Sequence, residues 1–384
     1  VRMGASLTGV KQKIAVVGNS VYTYNTGENT RIGNLFPTIN PCHITTFNDL
    51  LIIGNGTTSP KSWDQTTFQN LAGTPPGFSV STPHAGRHWA AGVAANPSRL
   101  YYSAVGNPED WVGAGSGSID IDPGDGDSIT ALLSWKEQLW VFKGPNRLSI
   151  HRISGSDPST DLTRKPFIYG ISASNSDSIF KIGEDFAFWS PRGSCHSMTS
   201  TDTYGDYSQA YLNYPILSWC RNPDNIRGLS SNSWQSVTDQ PTGISYSLFN
   251  NGQDLSSFKE QTLIAMDWRF RSERNPYPRF YRLTFDRFSA LNICPSTFDD
   301  NQFVPTMGTP DGLVFEELSL NAQFYAHRGA AISSRIETPS LTYGPTYYKK
   351  TITAVGVDVV SLVSDDSTTL TAELDFSYGG RGLP

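Results

Sequence analysis

Ser134-Trp135-Lys136-Glu137-Gln138-Leu139-Trp140-Val141-Phe142, coming back as Arg147-Leu148-Ser149-Ile150, is the stretch that decides the fold. An unbroken apolar segment beside a polar corner and a short return reads as a strand with both faces buried. The same texture recurs along the chain. Ile14-Ala15-Val16-Val17 turns at Gly18-Asn19-Ser20 into Val21-Tyr22-Thr23-Tyr24, and Phe47-Asn48-Asp49-Leu50-Leu51-Ile52-Ile53 turns at Gly54-Asn55-Gly56 and returns through Trp63. Gly86-Arg87-His88-Trp89-Ala90-Ala91-Gly92 returns as Arg99-Leu100-Tyr101-Tyr102-Ser103, and Lys181-Ile182-Gly183-Glu184-Asp185-Phe186-Ala187-Phe188-Trp189 returns through Cys195.

Corresponding points, Phe47, Arg87, Trp135 and Ile182, lie 40, 48 and 47 residues apart. That is the ~40 to 50 residues of a four-stranded propeller blade. The spacing predicts an all-β protein, a β-propeller of about six or seven blades over residues 1–330, each blade opening on a two-residue polar corner before its inner strand. Past residue 240, Thr262 to Trp268, Phe280 to Leu283 and Gly312-Leu313-Val314-Phe315 supply one or two of those blades. From about residue 330 the texture becomes Thr- and Ser-rich, with strands expected at Thr351 to Val360 and Thr368 to Phe376. Residues 331–384 are therefore expected to form a small C-terminal β element ending in a flexible tail.

Composition agrees. With Gly 34, Pro 24, 12% aromatic residues and only Met 4 in 384 residues, short strands and turns are favoured over long helices. A hydrophobic share of 38% against 17% charged residues is that of a folded chain. The net charge of -6 excludes a protein that coats nucleic acid by bulk electrostatics, although it leaves room for a local basic patch. No stretch approaches the ~20 apolar residues of a membrane-spanning helix, so no membrane insertion is expected. The N-terminus has no signal-peptide pattern, and beginning with Val leaves open whether the start lies upstream. Cys42, Cys195, Cys220 and Cys294 are too few and scattered for a disulfide scaffold and read as reduced thiols of a protein made in a cytosol.

Three features invite chemistry. Asp120-Ile121-Asp122-Pro123-Gly124-Asp125-Gly126-Asp127 places four carboxylates in eight residues, the density a calcium loop needs. Its spacing does not match the EF-hand, and the other reading is an acidic turn whose side chains bond their own backbone before the strand at Ile129. Cys42-His43 and Cys195-His196 invite zinc, but neighbours on a strand point to opposite faces, so no metal and no cofactor is expected. The segment Asp267 to Phe288 interleaves Arg269, Arg271, Arg274, Arg279, Arg282 and Arg287 with Trp268, Phe270, Tyr277, Phe280, Tyr281 and Phe285. Such a mixture grips phosphates and stacks on bases, or anchors a protein interface, or forms a hairpin with a charged outer face turning at Asn275-Pro276-Tyr277-Pro278. No nucleophile elbow, phosphate loop or His-Glu-x-x-His segment is present; carboxylate pairs for glycoside hydrolysis stay open, since they meet only in the fold, and a propeller glycosidase would rest on fold analogy alone.

Asn96-Pro97-Ser98-Arg99-Leu100-Tyr101-Tyr102-Ser103, then Gly106-Asn107-Pro108-Glu109-Asp110-Trp111, Ile119 to Asp127 and Ile129-Thr130-Ala131-Leu132, with Gly170-Ile171 and Phe188-Trp189-Ser190-Pro191-Arg192-Gly193 further on, resemble the β-propeller nozzle or hub proteins of short-tailed bacteriophages, including packaged-DNA stabilisation proteins. The similarity covers about residues 40 to 200. It implies a structural virion protein of the phage tail and no enzyme, made in the host cytoplasm and assembled as a homo-oligomeric, six-fold ring. Below the portal and adaptor such a ring conducts DNA and carries fibres or spikes. An alternative expectation is a receptor-binding propeller whose aromatic loops, with Trp63 or Trp111 as the contacts, recognise host glycans.

Overall fold

The computed structural model describes residues 2–4, 12–25, 28–36, 42–155, 161–205, 210–222, 234–249, 261–269, 271, 277–285, 290–295, 303–309, 312–317, 326–327 and 330–331. One compact unit spans Val1–Gln323 and a second spans Phe324–Pro384. Of the second, the described residues form one short hairpin, Ala326–His327 against Ala330–Ala331; the strands expected at 351–360 and 368–376 lie outside the described residues.

The first unit is an all-β propeller. Its described strands form seven successive antiparallel sheets, each built from consecutive segments of chain. Blade one comprises Arg2–Gly4, Gln12–Val17, Ser20–Asn25 and Glu28–Asn34, and blade two His43–Phe47, Leu50–Gly54, Lys61–Trp63 and Phe68–Asn70. Blade three comprises Val80–His84, Arg87–Ala91, Arg99–Tyr102 and Gly117–Asp120, and blade four Ser128–Trp135, Gln138–Gly144, Ser149–Ser154 and Thr163–Tyr169. Blade five has three strands, Ile179–Ile182, Asp185–Trp189 and Cys195–Ser197, followed by the helix Met198–Tyr204. Ser197 caps that helix by accepting the Ser200 N–H at 2.9 Å. Blade six is Trp234–Asp239, Ile244–Phe249, Gln261–Asp267 and Arg279–Phe285, and blade seven Ala290–Pro295, Phe303–Thr309 and Gly312–Glu317.

The first strand of each blade lines the ring. His43–Phe47 packs beside Val80–His84, which packs beside Ser128–Trp135; Ser128–Trp135 meets the 3-10 turn Ser176–Ser178 leading into blade five. Ile179–Ile182 then meets Trp234–Asp239, and Ala290–Pro295 closes the circle against Arg2–Gly4. The first and last blades thus meet by packing, with no shared strand among the described residues.

This order corrects the expected phase of the blades. Asn48-Asp49, Ala85-Gly86 and Lys136-Glu137 do not open a blade; each pair turns the inner strand into the second strand, with φ of 45° and 63°, 48° and 69°, and 50° and 58°. Phe47 to Ile53 is accordingly two strands and a turn. Positive φ at both positions suits the right-handed twist of a two-residue hairpin. The hairpin around Gly18-Asn19 is one strand out of step, because it joins the second and third strands of blade one.

The core lies between blades. In Gln138–Gly144, Leu139 and Val141 face Val80, Trp89 and Leu100 of blade three, whereas Trp140 and Phe142 face Ile171, Phe188 and Met198 on the blade-five side. Asp185–Trp189 repeats the split, sending Phe188 back to blade four and Ala187 and Trp189 on to blade six. Successive side chains on a strand point to opposite faces, so a strand between two sheets must be apolar throughout. Trp189 stacks on Trp234 at 4.6 Å and 19°, and its indole N–H donates to Ser247 Oγ at 2.8 Å. Such a pair adds about 1 kcal/mol beyond its buried area.

Trp63 and Trp111 belong to these layers. Trp63 is 9% exposed among Ile44, Leu51 and Ile53, and Trp111 is 8% exposed against Phe78 and His88, donating to the Pro108 carbonyl at 2.7 Å. Neither presents a face to a glycan; both pack blades. Among the described residues, no helix is long and apolar enough to cross a membrane.

Candidate functional site on the crossover face of blades three and four

Because strands alternate in direction, the chain passes from blade to blade on the face that also carries the loops between second and third strands. On that face the acidic loop Asp120–Asp127, entering blade four, meets the loop Pro145–Leu148 of the same blade. Gly124 and Gly126 hold φ of 84° and 82°, which frees the loop to curl Asp125 inward.

The loop does enclose a cation, and the cation is the chain's own. Lys143 is fully buried, and its Nζ donates to the carbonyls of Ile121 at 2.6 Å and Asp122 at 2.9 Å, to Asp125 Oδ2 at 2.7 Å and to Ser98 Oγ at 3.2 Å. Two backbone carbonyls, a carboxylate and a hydroxyl around one positive centre is the oxygen set a hard metal ion would take. Lys143 follows Leu139 and Val141 at the strand period, so it faces blade three, where the loop lies.

The other carboxylates turn to other partners. Asp120 forms a two-bond pair with Arg99, its cross-strand partner, at 2.7 and 3.0 Å, and that guanidinium holds the Asp120 carboxyl below its usual range. Asp127 is 2% exposed and accepts the backbone N–H groups of Asn146, Arg147 and Leu148 at 2.7, 2.9 and 2.9 Å. Without it those donors would be orphaned beneath the loop. Asp122 lies 3.3 Å from Arg164 Nη1 and accepts the Tyr169 hydroxyl at 3.3 Å. Asp125 also accepts the Asp127 N–H at 3.0 Å, the local backbone bond expected of an acidic turn. Among the described residues no three His, Cys, Asp or Glu side chains gather round a point that could hold a metal.

Beside the loop lies an open cavity of about 340 Å³, lined by residues 122–125, Arg147, Ser149 and Tyr169. Behind it His151 is buried, with Nε2 at 3.1 Å from Ser149 Oγ and 3.6 Å from Asp122 Oδ2. A Ser-His-Asp relay needs the hydroxyl and the carboxylate on different ring nitrogens; here both meet Nε2, while Nδ1 is buried with no partner among the described residues. Burial lowers the His151 pKa against the pull of Asp122, which favours the neutral ring. Ser194 and His196 repeat the pair one blade on, at 2.8 Å, with the imidazole stacked on Phe188. Cys195 points the other way, into the layer with Trp189 and Cys220, where burial raises its thiol pKa. His43 likewise bonds the Ser81 carbonyl at 2.8 Å, across to blade three.

The arginine-rich segment maps to the outer edge of blade six. Arg279–Phe285 is the last strand of its sheet, paired to Gln261–Asp267 in the register Asp267↔Arg279 and Ile264↔Arg282. The hairpin is real, but its arginines do not share one face. Phe280 packs into the layer between blades five and six, and Arg282, two residues on, lies over Trp219 at 5.6 Å. Arg279 and Tyr281 are exposed on the opposite side. Arg269 pairs with the buried Asp267 at 2.7 Å, and Arg271 sits 5.5 Å above the Trp268 ring. Arg274, Arg287 and residues 275–276 of the turn lie outside the described residues.

No protein-family model and no curated protein matches the chain. Among solved structures, the chain is similar to the computationally designed Ika8 protein at 12% identity, covering 79% of this chain and 82% of that one with a TM-score of 0.42. A candidate 6-phosphogluconolactonase of Bacteroides fragilis shares 10% identity over 82% and 92% of the two chains at a TM-score of 0.43. Hsv2 of Kluyvelomyces marxianus shares 8% over 71% and 79% at 0.36. At these scores the fold rests on the chain's own strand order and ring contacts.

Proposed function

We propose that this propeller is a structural protein of a short-tailed phage tail, working without turnover as one subunit of an oligomeric nozzle or hub. The observation that carries the reading is the outer strand of blade six. The outermost strand of its sheet among the described residues bears exposed Arg279, Tyr281 and Arg282, on a chain of net charge -6. Arginine and tyrosine on a rigid edge are interface anchors, and a cationic edge on an acidic body is complementary to the rest of its own surface. Such a patch favours head-to-tail contacts between copies, which close into a ring when the rotation allows. A hexamer below the portal and adaptor, conducting DNA along an acidic or neutral channel and carrying fibres or spikes outside, fits this design and the sequence resemblance. A conduit gains from not gripping its polymer, since each phosphate contact adds salt-sensitive affinity.

Native mass spectrometry of the purified chain, with imaging of intact particles, tests this. Rings of identical subunits and copies placed at the tail are expected. A stable monomer that is missing from purified particles overturns the proposal.

A further inference from the structure

We infer that the cavity between residues 122–125, Arg147, Ser149 and Tyr169 is a binding site for an uncharged saccharide. The cavity, about 340 Å³, falls at the small end of the ~300–1,000 Å³ of small-molecule sites. Its walls carry both signs. Asp122 and Asp125 line it together with Arg147, so an anionic ligand meets the carboxylates and a cationic one the guanidinium. A neutral polyol meets no like charge, because each hydroxyl both donates and accepts, to a carboxylate on one side and from a guanidinium on the other.

Three placements favour a sugar ring over other neutral ligands. Tyr169 is 59% exposed at the cavity, a flat apolar surface for the C–H face of a pyranose, and its hydroxyl is anchored on Asp122. The Arg147 guanidinium forms no ion pair among the described residues, while its backbone is pinned by Asp127. The polar floor is rigid: Ser149 Oγ is held by the buried His151, and Asp125 by the buried Lys143. Groups whose positions are locked by packing lose little entropy on binding. The site goes beyond the tail reading and does not depend on it, because one subunit supplies every wall.

The test is saturation-transfer NMR on the full chain with a panel of neutral hexoses, 6-deoxyhexoses, N-acetylhexosamines and their disaccharides, with glucuronate and glucosamine as charged comparators. At least one neutral sugar is expected to bind, with at least tenfold weaker binding in both Tyr169→Ala and Arg147→Ala. Both side chains are exposed, so both variants should melt with the parent, and melting is measured alongside. Failure of every neutral sugar, binding of the charged comparators alone, or binding unchanged by either substitution overturns the assignment.

Discussion

Blade four and blade six carry their charges in opposite ways. Around blade four, Lys143, Asp125 and Asp127 are drawn inward and held by backbone groups as much as by one another. On blade six the arginines sit at an edge, stacked on Trp219 and Trp268 or paired locally, with their heads toward solvent. The first arrangement fixes a loop. The second leaves a surface available to a partner, and substitution should tell the two apart.

Lys143→Met should have the largest effect, a loss of about 4 kcal/mol in urea unfolding, because it leaves the Asp125 carboxylate and the Ile121 and Asp122 carbonyls without their buried ammonium. If the loop is a cation site in its own right, millimolar calcium will raise the unfolding midpoint of Lys143→Ala and leave the parent unmoved. A loss under 1 kcal/mol would mean the buried ammonium is not what holds the loop.

Acid should loosen the interior next. His88 and His196 are buried and held neutral, each with its pKa lowered to about 3 by burial. Their folded values lie below the unfolded one, so their contribution is complete above about pH 6.5 and declines as pH falls. At pH 5 each costs about 2 kcal/mol. Melting at fixed ionic strength from pH 7.5 to 4.5 checks this; a flat profile would require water or a partner at those rings.

The smallest effect on stability, and the largest on association, belongs to the edge. Arg279→Glu combined with Arg282→Glu should change unfolding free energy by under about 1 kcal/mol while weakening ring formation in native mass spectrometry. Unchanged assembly would remove blade six from the interface.

The blades were legible because burial on both faces leaves an unmistakable apolar run, as in Leu139 to Phe142, and because that run recurs at blade spacing. Their phase was not. The inner hairpins turn at Asn48-Asp49 and Lys136-Glu137, and a Lys-Glu pair gives no glycine signal for the positive φ it adopts. The acidic loop was recognisable as a cation-binding texture, but its cation lies 18 residues beyond Asp125, and only the strand period brings Lys143 to it. Trp63 and Trp111 resemble surface aromatics in sequence because they sit beside turns; packing between sheets is what buries them.

The way the ring closes bears on how the protein is made. Among the described residues every sheet uses consecutive strands, and the first blade meets the last by packing. Each blade can therefore pair its own strands as they leave the ribosome, since no early strand waits for one synthesised several hundred residues later. Translation order and assembly order coincide for the described blades, and the seam between the two ends of the circle closes only once blade seven has been made.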